Sequence, residues 1–253
     1  MNAFRSLLLA LFMGITVVPY GVCCLLIAPL PLHLRYRFTI GWPRMVIHAA
    51  RLLCGIRWRV LGWENLPDGP AVLLSKHQST WETFYYVAWM PRELCFVFKR
   101  ELLWVPFFGW GIGLLKMIHI DRSQGRNAFE SVVQQGQRKL DEGRWIIMFP
   151  EGTRTPVGSQ GQYKSGGARL AIRTGAPVVP IAVNAGEVWP KTRFVKQPGL
   201  VTVSIGAPIP TTDRAVEEVN AEAERWIETE MRRLSPHAYR DASRPAPAHE
   251  AAE

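Results

Sequence analysis

The feature that most constrains this 253-residue chain is an apolar stretch close to its N-terminus. Residues 6–34 are 29 consecutive positions without a formally charged side chain. As one continuous helix, this stretch would be roughly 44 Å long, against a bilayer hydrocarbon core of about 30 Å. The segment is therefore long enough to cross a membrane.

Prolines interrupt the apolar stretch. Pro19 lies near its middle, and Pro29 and Pro31 lie near its end. Because proline removes a helical hydrogen bond and clashes with the preceding turn, we expect the helix to be kinked or broken into two pieces. A helix that crosses the bilayer and a shallow hairpin are both compatible with this pattern. A cleaved signal peptide is disfavoured, because the apolar region is too long and no small-x-small cleavage site leads into a polar segment.

Most of the excess positive charge lies beside the apolar stretch. The formal net charge is +9, and residues 1–63 contribute seven arginines and no acidic residue. Basic residues beside an apolar segment favour a membrane surface over nucleic acid, which would require a basic face on the folded domain. The positive-inside bias places the following domain on the cytoplasmic side. Residues 36–60 fit a solvated basic helix, but the tryptophans and aliphatic residues interleaved with their arginines fit an interfacial amphipathic helix at least as well.

The four cysteines do not indicate a disulfide scaffold or a metal site. Cys23, Cys24, Cys54 and Cys95 include no CxxC pair and no zinc-like spacing with histidine. We therefore expect free thiols in a reducing compartment and no bound metal.

Beyond Glu64, short apolar runs alternate with helical stretches, a pattern typical of an α/β fold. The expected strands are six apolar runs: 71–74, 95–98, 117–120, 145–149, 178–183 and 200–205. The expected helices are four amphipathic stretches: 81–90, 128–140, 167–174 and 213–234, the last capped by residues 211–213. The sequence thus predicts a membrane segment over 1–63, a folded domain over 64–234 and a disordered tail over 235–253.

A histidine and an acid follow the first of these strands. In open α/β sheets, functional residues collect beyond the carboxyl ends of the strands, and His77 lies on such a loop. Glu82, five positions on, could accept a hydrogen bond from one imidazole nitrogen and leave the other as an oriented base. The alternative is structural: Ser79 and Glu82 also fit a capping box, beside an ordinary loop histidine.

A second unusual segment follows the strand that ends at Phe149. There the sequence reads Pro-Glu-Gly-Thr-Arg over residues 150–154. A guanidinium held beside the backbone N–H groups of a glycine turn is suited to bind a phosphate or a carboxylate. An ordinary polar turn with a Glu151 to Arg154 ion pair is the alternative.

Together, these segments resemble the glycerolipid acyltransferase family, in particular the 1-acyl-sn-glycerol-3-phosphate acyltransferases. Four blocks match in the family's order. Residues 75–82 resemble its HxxxxD block, 98–109 with 120–122 its second block, 149–154 match its FPEGTR block letter for letter, and 179–183 resemble its fourth. Glu82 departs from the pattern, which has Asp there, so the pairing with His77 has to accommodate an extra methylene. The resemblance implies a mixed, mostly parallel sheet flanked by helices, behind an N-terminal membrane-anchoring helical segment.

The resemblance also implies a reaction. His77 would be the general base that takes the proton from the sn-2 hydroxyl of 1-acyl-sn-glycerol-3-phosphate (lysophosphatidic acid), with Glu82 orienting the imidazole. The acceptor would attack the thioester of acyl-CoA or acyl-acyl carrier protein directly and form phosphatidic acid in phospholipid biosynthesis. An acyl-enzyme is not needed, which agrees with the lack of a GxSxG motif in the sequence. The thioester is a co-substrate, and no further cofactor is implied.

By the same resemblance, a set of polar residues would bind the substrates. Arg154 would hold the acceptor's phosphate, and Lys164 could also reach an anion, although a solvent-exposed role fits it better. The implied substrate-binding residues are Lys99, Arg100, Arg122, Glu151, Gly152, Thr153 and Arg154.

These expectations place the chain at the cytoplasmic face of a bacterial inner membrane, with the bilayer, the lysolipid and the acyl donor as partners, and not nucleic acid. Two alternatives stay open. The acceptor could be another lysolipid, such as lyso-ornithine lipid. The chain could instead be a non-catalytic, membrane-tethered lipid-binding protein in which Glu82 only caps a helix.

Overall fold

The structure, a computed structural model, describes residues 1–105, 108–121, 123 and 127–239, beginning with a helical N-terminal segment. Its helices are α1 (Asn2–Leu26), α2 (Leu32–Thr39) and α3 (Gly41–Cys54). Helix α1 continues through Pro19, so the break in the apolar stretch falls at the later prolines. Pro31 is the N-cap residue of α2, a position where proline's fixed φ and missing N–H are tolerated.

A mixed, mostly parallel sheet forms the centre of the described chain, as the sequence predicts. The strand order is β1-β7-β6-β2-β5-β3-β4, and every neighbouring pair is parallel except the antiparallel β6 and β7. The strands are β1 (Ile56–Leu61), β2 (Val72–Ser75), β3 (Leu94–Lys99), β4 (Ile118–Ile120), β5 (Trp145–Met148), β6 (Val178–Val183) and β7 (Gly199–Ile205).

Strand β1 lies inside the segment that the sequence assigns to the membrane anchor. It pairs in parallel with β7, with Ile56 opposite Gly199, and Arg59 donates a hydrogen bond to Thr202 at 3.0 Å. The alternation of apolar and arginine residues here has the period of two of a strand and not the period of an interfacial helix. The expectation of a basic helix up to residue 60 is therefore wrong for residues 56–60, and the sheet begins directly after α3.

Helices cover both faces of the sheet. The remaining helices are α4 (Trp81–Trp89), α5 (Phe108–Leu114), α6 (Asn127–Asp141), α7 (Gly166–Thr174) and α8 (Val216–Leu234). Because side chains alternate along a strand, Val179, Ile181 and Val183 of β6 pack in a core with α1, α3 and α4. Val178 and Ala182 pack on the other face with α6, α7 and α8. This double cover leaves the carboxyl ends of the strands for a site.

The beginning and end of the last helix differ from the expectation. Helix α8 has Ala215 as its N-cap residue, so Asp213 does not cap it and instead adopts a positive φ of 56°. After the helix, Ser235 is buried and hydrogen-bonded to Glu187, and Tyr239 packs against the core, so 235–239 belong to the folded domain. The rest of the expected tail, 240–253, lies outside the described residues.

Candidate active site

The predicted site residues follow three strands that are neighbours in the sheet. Strands β2, β5 and β3 are adjacent and parallel, so their carboxyl ends meet at one edge. His77 follows β2, the turn of residues 149–154 follows β5, and Lys99 ends β3. The topology thus brings the separate motifs to a common edge of the sheet.

His77 and Glu82 are paired. The Nδ1 atom of His77 lies 2.9 Å from Oε1 of Glu82, whose side chain has no exposed surface, while the imidazole is 15% exposed. A carboxylate oxygen can only accept, so Nδ1 donates the proton of this bond and Nε2 is the nitrogen free to act as a base. The geometry is that of an oriented imidazole with one nitrogen directed away from its acidic partner.

The same carboxylate also caps the start of α4. Oε1 of Glu82 accepts the backbone N–H groups of Gln78 at 2.8 Å and of Ser79 at 2.6 Å. The Ser79 hydroxyl in turn accepts the N–H of Trp81 at 3.0 Å. The capping and the catalytic interpretations of Glu82 are therefore compatible. Its longer side chain folds back over the first helical turn, which accommodates the extra methylene relative to Asp.

Phe149 holds the other side of the imidazole, a contact that the sequence analysis missed. Its ring stacks on His77 with centroids 3.9 Å apart and planes 17° apart, and Phe96 lies behind it at 6.1 Å. The register of β2 and β5, with Leu74 opposite Met148, places Phe149 beside the chain that leads to His77. The sequence feature that could have indicated this contact is the aromatic residue Phe149 at the end of a strand next to β2.

Glu151 points into the protein and not towards the cleft. It is buried, and its Oε1 lies 2.6 Å from Nζ of Lys76 and accepts the Thr155 hydroxyl at 3.0 Å. Its Oε2 accepts the backbone N–H of His77 at 3.0 Å. These contacts fit a residue that joins two loops better than the expected contact with substrate. Among the described ion pairs, none joins Glu151 to Arg154, the alternative considered for this turn.

Arg154 reaches the loop of the histidine. Its Nη1 donates to the hydroxyl of Thr80, three residues after His77, at 2.7 Å. The guanidinium and the imidazole thus border the same loop, and the guanidinium's other N–H groups can still bind an anion. Gly152 and Thr153 are exposed on the turn that leads to Arg154.

Two lysines flank this turn. Gly152 has a φ of +68°, which favours glycine, and a Cβ there would lie 2.9 Å from Nζ of Lys164, so the lysine ammonium lies beside this turn. Lys191, which the sequence analysis missed, has its Nζ 3.4 Å from Oγ1 of Thr153. Lys191 lies in the segment that follows β6, a parallel neighbour of β2, so its strand ends at the same edge. The turn of residues 152–154 therefore has two lysine ammonium groups beside it.

The basic residues expected to bind substrate after β3 have different surroundings. Lys99 is exposed at the end of the strand, whereas Arg100 is bonded to Asp121 at 2.7 Å. Hydrogen bonds from Ser123 and from Arg100 lower the pKa of the Asp121 carboxyl to about 2, so this pair is fully charged at neutral pH. Arg122 lies outside the described residues. Within the described ranges, no cluster of three or more His, Cys, Asp or Glu residues could hold a metal.

Comparison with known proteins identifies the family. A family model described as acyltransferase matches residues 57–184, which include the histidine block, the FPEGTR turn and strand β6. The chain belongs to the acyltransferase family. A 1-acyl-sn-glycerol-3-phosphate acyltransferase of Pseudomonas aeruginosa is 45% identical over 251 residues, covering 97% of both chains. The human 1-acyl-sn-glycerol-3-phosphate acyltransferase alpha is 31% identical over 186 residues, covering 72% of this chain and 65% of its own.

A solved structure shows the same fold. The crystal structure of the 1-acyl-sn-glycerophosphate acyltransferase of Thermotoga maritima matches with a TM-score of 0.75 and 25% identity, covering 93% of this chain and 98% of its own. The resemblance drawn from the sequence is thereby confirmed. The protein is an acyltransferase and not a non-catalytic lipid-binding protein.

Proposed function

We propose that this acyltransferase moves a fatty acyl chain from a coenzyme A or acyl carrier protein thioester to the sn-2 hydroxyl of 1-acyl-sn-glycerol-3-phosphate, forming phosphatidic acid. The main support is that the imidazole of His77, paired with Glu82, and the guanidinium of Arg154 border one loop. In this proposal, a bound glycerol phosphate places its hydroxyl at the imidazole of His77 and its phosphate at the guanidinium of Arg154. Relatives from bacteria to mammals bear the name of this activity.

In the proposed reaction, the protons and the acyl group balance without a covalent enzyme intermediate. Nε2 of His77 takes the proton of the acceptor hydroxyl as its oxygen forms a bond to the thioester carbonyl carbon. Glu82 stabilises the imidazolium that results. When the tetrahedral intermediate collapses, the carbon–sulfur bond breaks, and His77 returns the proton to the departing thiolate. His77 ends neutral and ready for another acceptor.

Binding of the acceptor's phosphate is assigned to the turn after β5. Arg154 can offer the N–H groups that Thr80 does not use, and Thr153 can add its hydroxyl from the exposed face of the turn. Lys164 and Lys191 supply further positive charge beside this turn. A phosphate monoester has the charge and the three oxygens to use several of these donors together.

An acceptor panel tests this function. Purified enzyme is supplied with labelled acyl-CoA or acyl-acyl carrier protein and with lysophosphatidate, lyso-ornithine lipid or lysophosphatidylcholine. We expect lysophosphatidate to give the highest kcat/KM, because its phosphate matches the cations around Gly152–Arg154. Faster acylation of lyso-ornithine lipid would instead assign the enzyme to the alternative acceptor. Comparing the two thioesters identifies the donor.

Helix α1 is proposed to hold the enzyme on the membrane. By length and composition it could cross a bilayer. However, it is attached to the domain along its length: the Arg5 carbonyl contacts the thiol of Cys54, and Thr16 accepts the indole N–H of Trp42 at 3.0 Å. A helix packed in this way cannot span a bilayer without taking α3 with it. We therefore place α1 along one leaflet, on the cytoplasmic face indicated by the arginine bias.

The outer side of α1 supports this placement. It exposes a stripe of large apolar side chains at helical spacing, which we call the outer stripe: Phe4, Leu7, Leu11, Ile15, Val18, Val22 and Leu26. Exposed apolar stripes of this extent are typical of membrane-contact surfaces. The stripe faces away from the sheet and is available to acyl chains.

Polar substitutions in the outer stripe should weaken membrane binding. Leu11 and Ile15 are 50% and 71% exposed, so replacing both with Ser removes apolar surface without disturbing the core. Burial of such a side chain contributes about 1.5–3 kcal/mol, and we expect vesicle affinity to fall at least about tenfold. Vesicle flotation measures the affinity, and turnover in detergent micelles serves as the control. Unchanged flotation would contradict the assignment of this surface.

A further inference from the structure

A lysine without contact to solvent directly precedes the proposed base. Lys76 has no exposed surface, and its Nζ lies 2.6 Å from Oε1 of Glu151 and 2.8 Å from Oε1 of Glu228. It also donates to the carbonyl of Ser159 at 3.0 Å. An ammonium has three donors, so these three acceptors use all of them. We call Lys76, Glu151 and Glu228 the Lys76 cluster.

The Lys76 cluster joins segments that are distant in the sequence. Glu151 belongs to the turn after β5, and its second oxygen holds the backbone N–H of His77 at 3.0 Å. Glu228 comes from α8, 152 positions after Lys76, and accepts the hydroxyl of Tyr163 at 2.9 Å. The histidine loop, the turn after β5 and the last helix are therefore connected through one cation.

The cluster lies behind the site and not in it. Side chains alternate at the end of β2, and the Lys76 side chain extends to Glu228 of α8, on the face of the sheet that Leu74 also occupies. His77 is directed to the opposite side, against Phe149 and Glu82. The cluster's three side chains are at most 3% exposed, so none of them can touch a substrate. Any effect of the cluster on the reaction therefore has to act through other residues, and the contact that reaches the proposed base is the one to the backbone N–H of His77.

Buried ion pairs of this kind contribute little net free energy to the stability of a fold. Desolvation of the charges offsets most of their attraction, and well-packed apolar residues often serve stability as well or better. What a fully bonded ammonium does supply is fixed geometry, since each of its three bonds restrains a different segment. Here the restrained Glu151 holds the backbone N–H of the proposed base, His77.

We propose that Lys76 and Glu228 are positioning residues of the acyl transfer. They hold Glu151 in place, and Glu151 in turn holds the backbone of His77. The imidazole is thereby kept in the position where it contacts both Glu82 and the acceptor. Helix α8, which lies beyond the residues matched by the family model, thus supports the active site from behind. This inference rests on the proposed function, in which His77 is the base.

Kinetics of three cluster variants test the proposal in the full chain. Lys76→Met removes the cation, and Glu228→Leu removes the contact from α8. Glu228→Gln keeps an oxygen that can accept from both Lys76 and Tyr163. Each purified variant is assayed with lysophosphatidate and acyl-CoA, at a temperature where circular dichroism shows it fully folded.

Positioning roles predict losses in kcat and not in KM. Because a small displacement of a catalytic group is costly, we expect kcat to fall about 30-fold in Lys76→Met and about tenfold in Glu228→Leu. The KM values of both substrates should stay within about threefold of the wild-type values, because the cluster touches neither substrate. Glu228→Gln should restore most of the kcat lost in Glu228→Leu. The control is Glu222→Gln, which changes an exposed carboxylate of α8 that is paired with Arg214 at 2.7 Å.

The outcomes separate positioning from stabilisation. If the cluster only stabilises the fold, Lys76→Met and Glu228→Leu will lower Tm while kcat per folded molecule stays at the wild-type value, which overturns the proposal. A loss confined to KM overturns it as well. If Lys76→Met does not fold, Glu228→Leu and its Gln counterpart decide alone. His77→Ala belongs in the same series: if it is active, the proposed base fails, whereas if it is inactive and the cluster variants turn over normally, only the positioning role fails.

Discussion

His77→Ala should lower turnover by about 10²- to 10⁴-fold while the fold stays intact. The substitution removes the nitrogen that accepts the hydroxyl proton. The ring is small, and its neighbours Phe149 and Glu82 retain other contacts, with Phe96 and with the backbone of Gln78 and Ser79. The loss should therefore be in kcat and exceed any change in the KM of either substrate. Steady-state turnover of the purified variant, together with its thermal unfolding, measures both effects.

A matched histidine provides the control. His237, which is 63% exposed near the end of the described chain, can be changed to Ala without touching the loop of His77. Glu82→Gln should lower kcat less than His77→Ala does, because it keeps a hydrogen-bonding group beside Nδ1 but loses the charge that stabilises the imidazolium. Purified His77→Ala that retains wild-type turnover would show that another group accepts the proton.

Arg154→Ala should chiefly raise the KM for lysophosphatidate. A hydrogen bond to a charged group contributes about 1.5–3 kcal/mol, which corresponds to about 10- to 100-fold in affinity. We expect kcat to change less, because the phosphate is remote from the reacting hydroxyl. Titration of the acceptor at saturating acyl donor, followed by the reverse titration, separates the two KM values.

Two further arginine variants sharpen this test. Arg154→Lys keeps the charge but loses the planar fork, so its KM should lie between those of the wild type and Arg154→Ala. Arg173→Ala removes a guanidinium that is half exposed on α7 and paired with Glu130 at 3.1 Å, and should leave both KM values unchanged. If Arg154→Ala altered only the KM of the acyl donor, the phosphate assignment would be wrong.

Much of the central sheet was predictable from the sequence, because its strands are buried on both faces and read as short apolar runs. Residues 178–183 form β6 exactly as their apolar run indicates, and β2 and β5 differ from the expectation by one residue at their ends. Parallel order then brings the residues after neighbouring strands to one edge. The proximity of His77 and Arg154 followed from these local signals together with the rule for strand ends.

Other features depended on tertiary contacts that no local pattern records. Strand β1 is paired with a strand more than 140 positions away, and its arginines resembled an interfacial helix until that partner was known. No local pattern singles out Lys76, because its partner Glu228 lies 152 positions further on. The stacking of Phe149 on His77 likewise required the register of β2 and β5. Sequence patterns indicated the elements, whereas these contacts depended on how distant elements meet.

The attachment of α1 along the body of the domain has a consequence for product release. In the proposed placement of α1 along one leaflet, its contacts with α3 fix the height of the catalytic cleft relative to the lipid headgroups. A diacyl product would lose about 0.8 kcal/mol for each methylene exposed to water, so desorption into the cytosol would be very slow. Lateral diffusion within the leaflet avoids this cost, so with this placement we expect the rate of the cycle to follow the two-dimensional concentration of lysolipid and not its aqueous concentration.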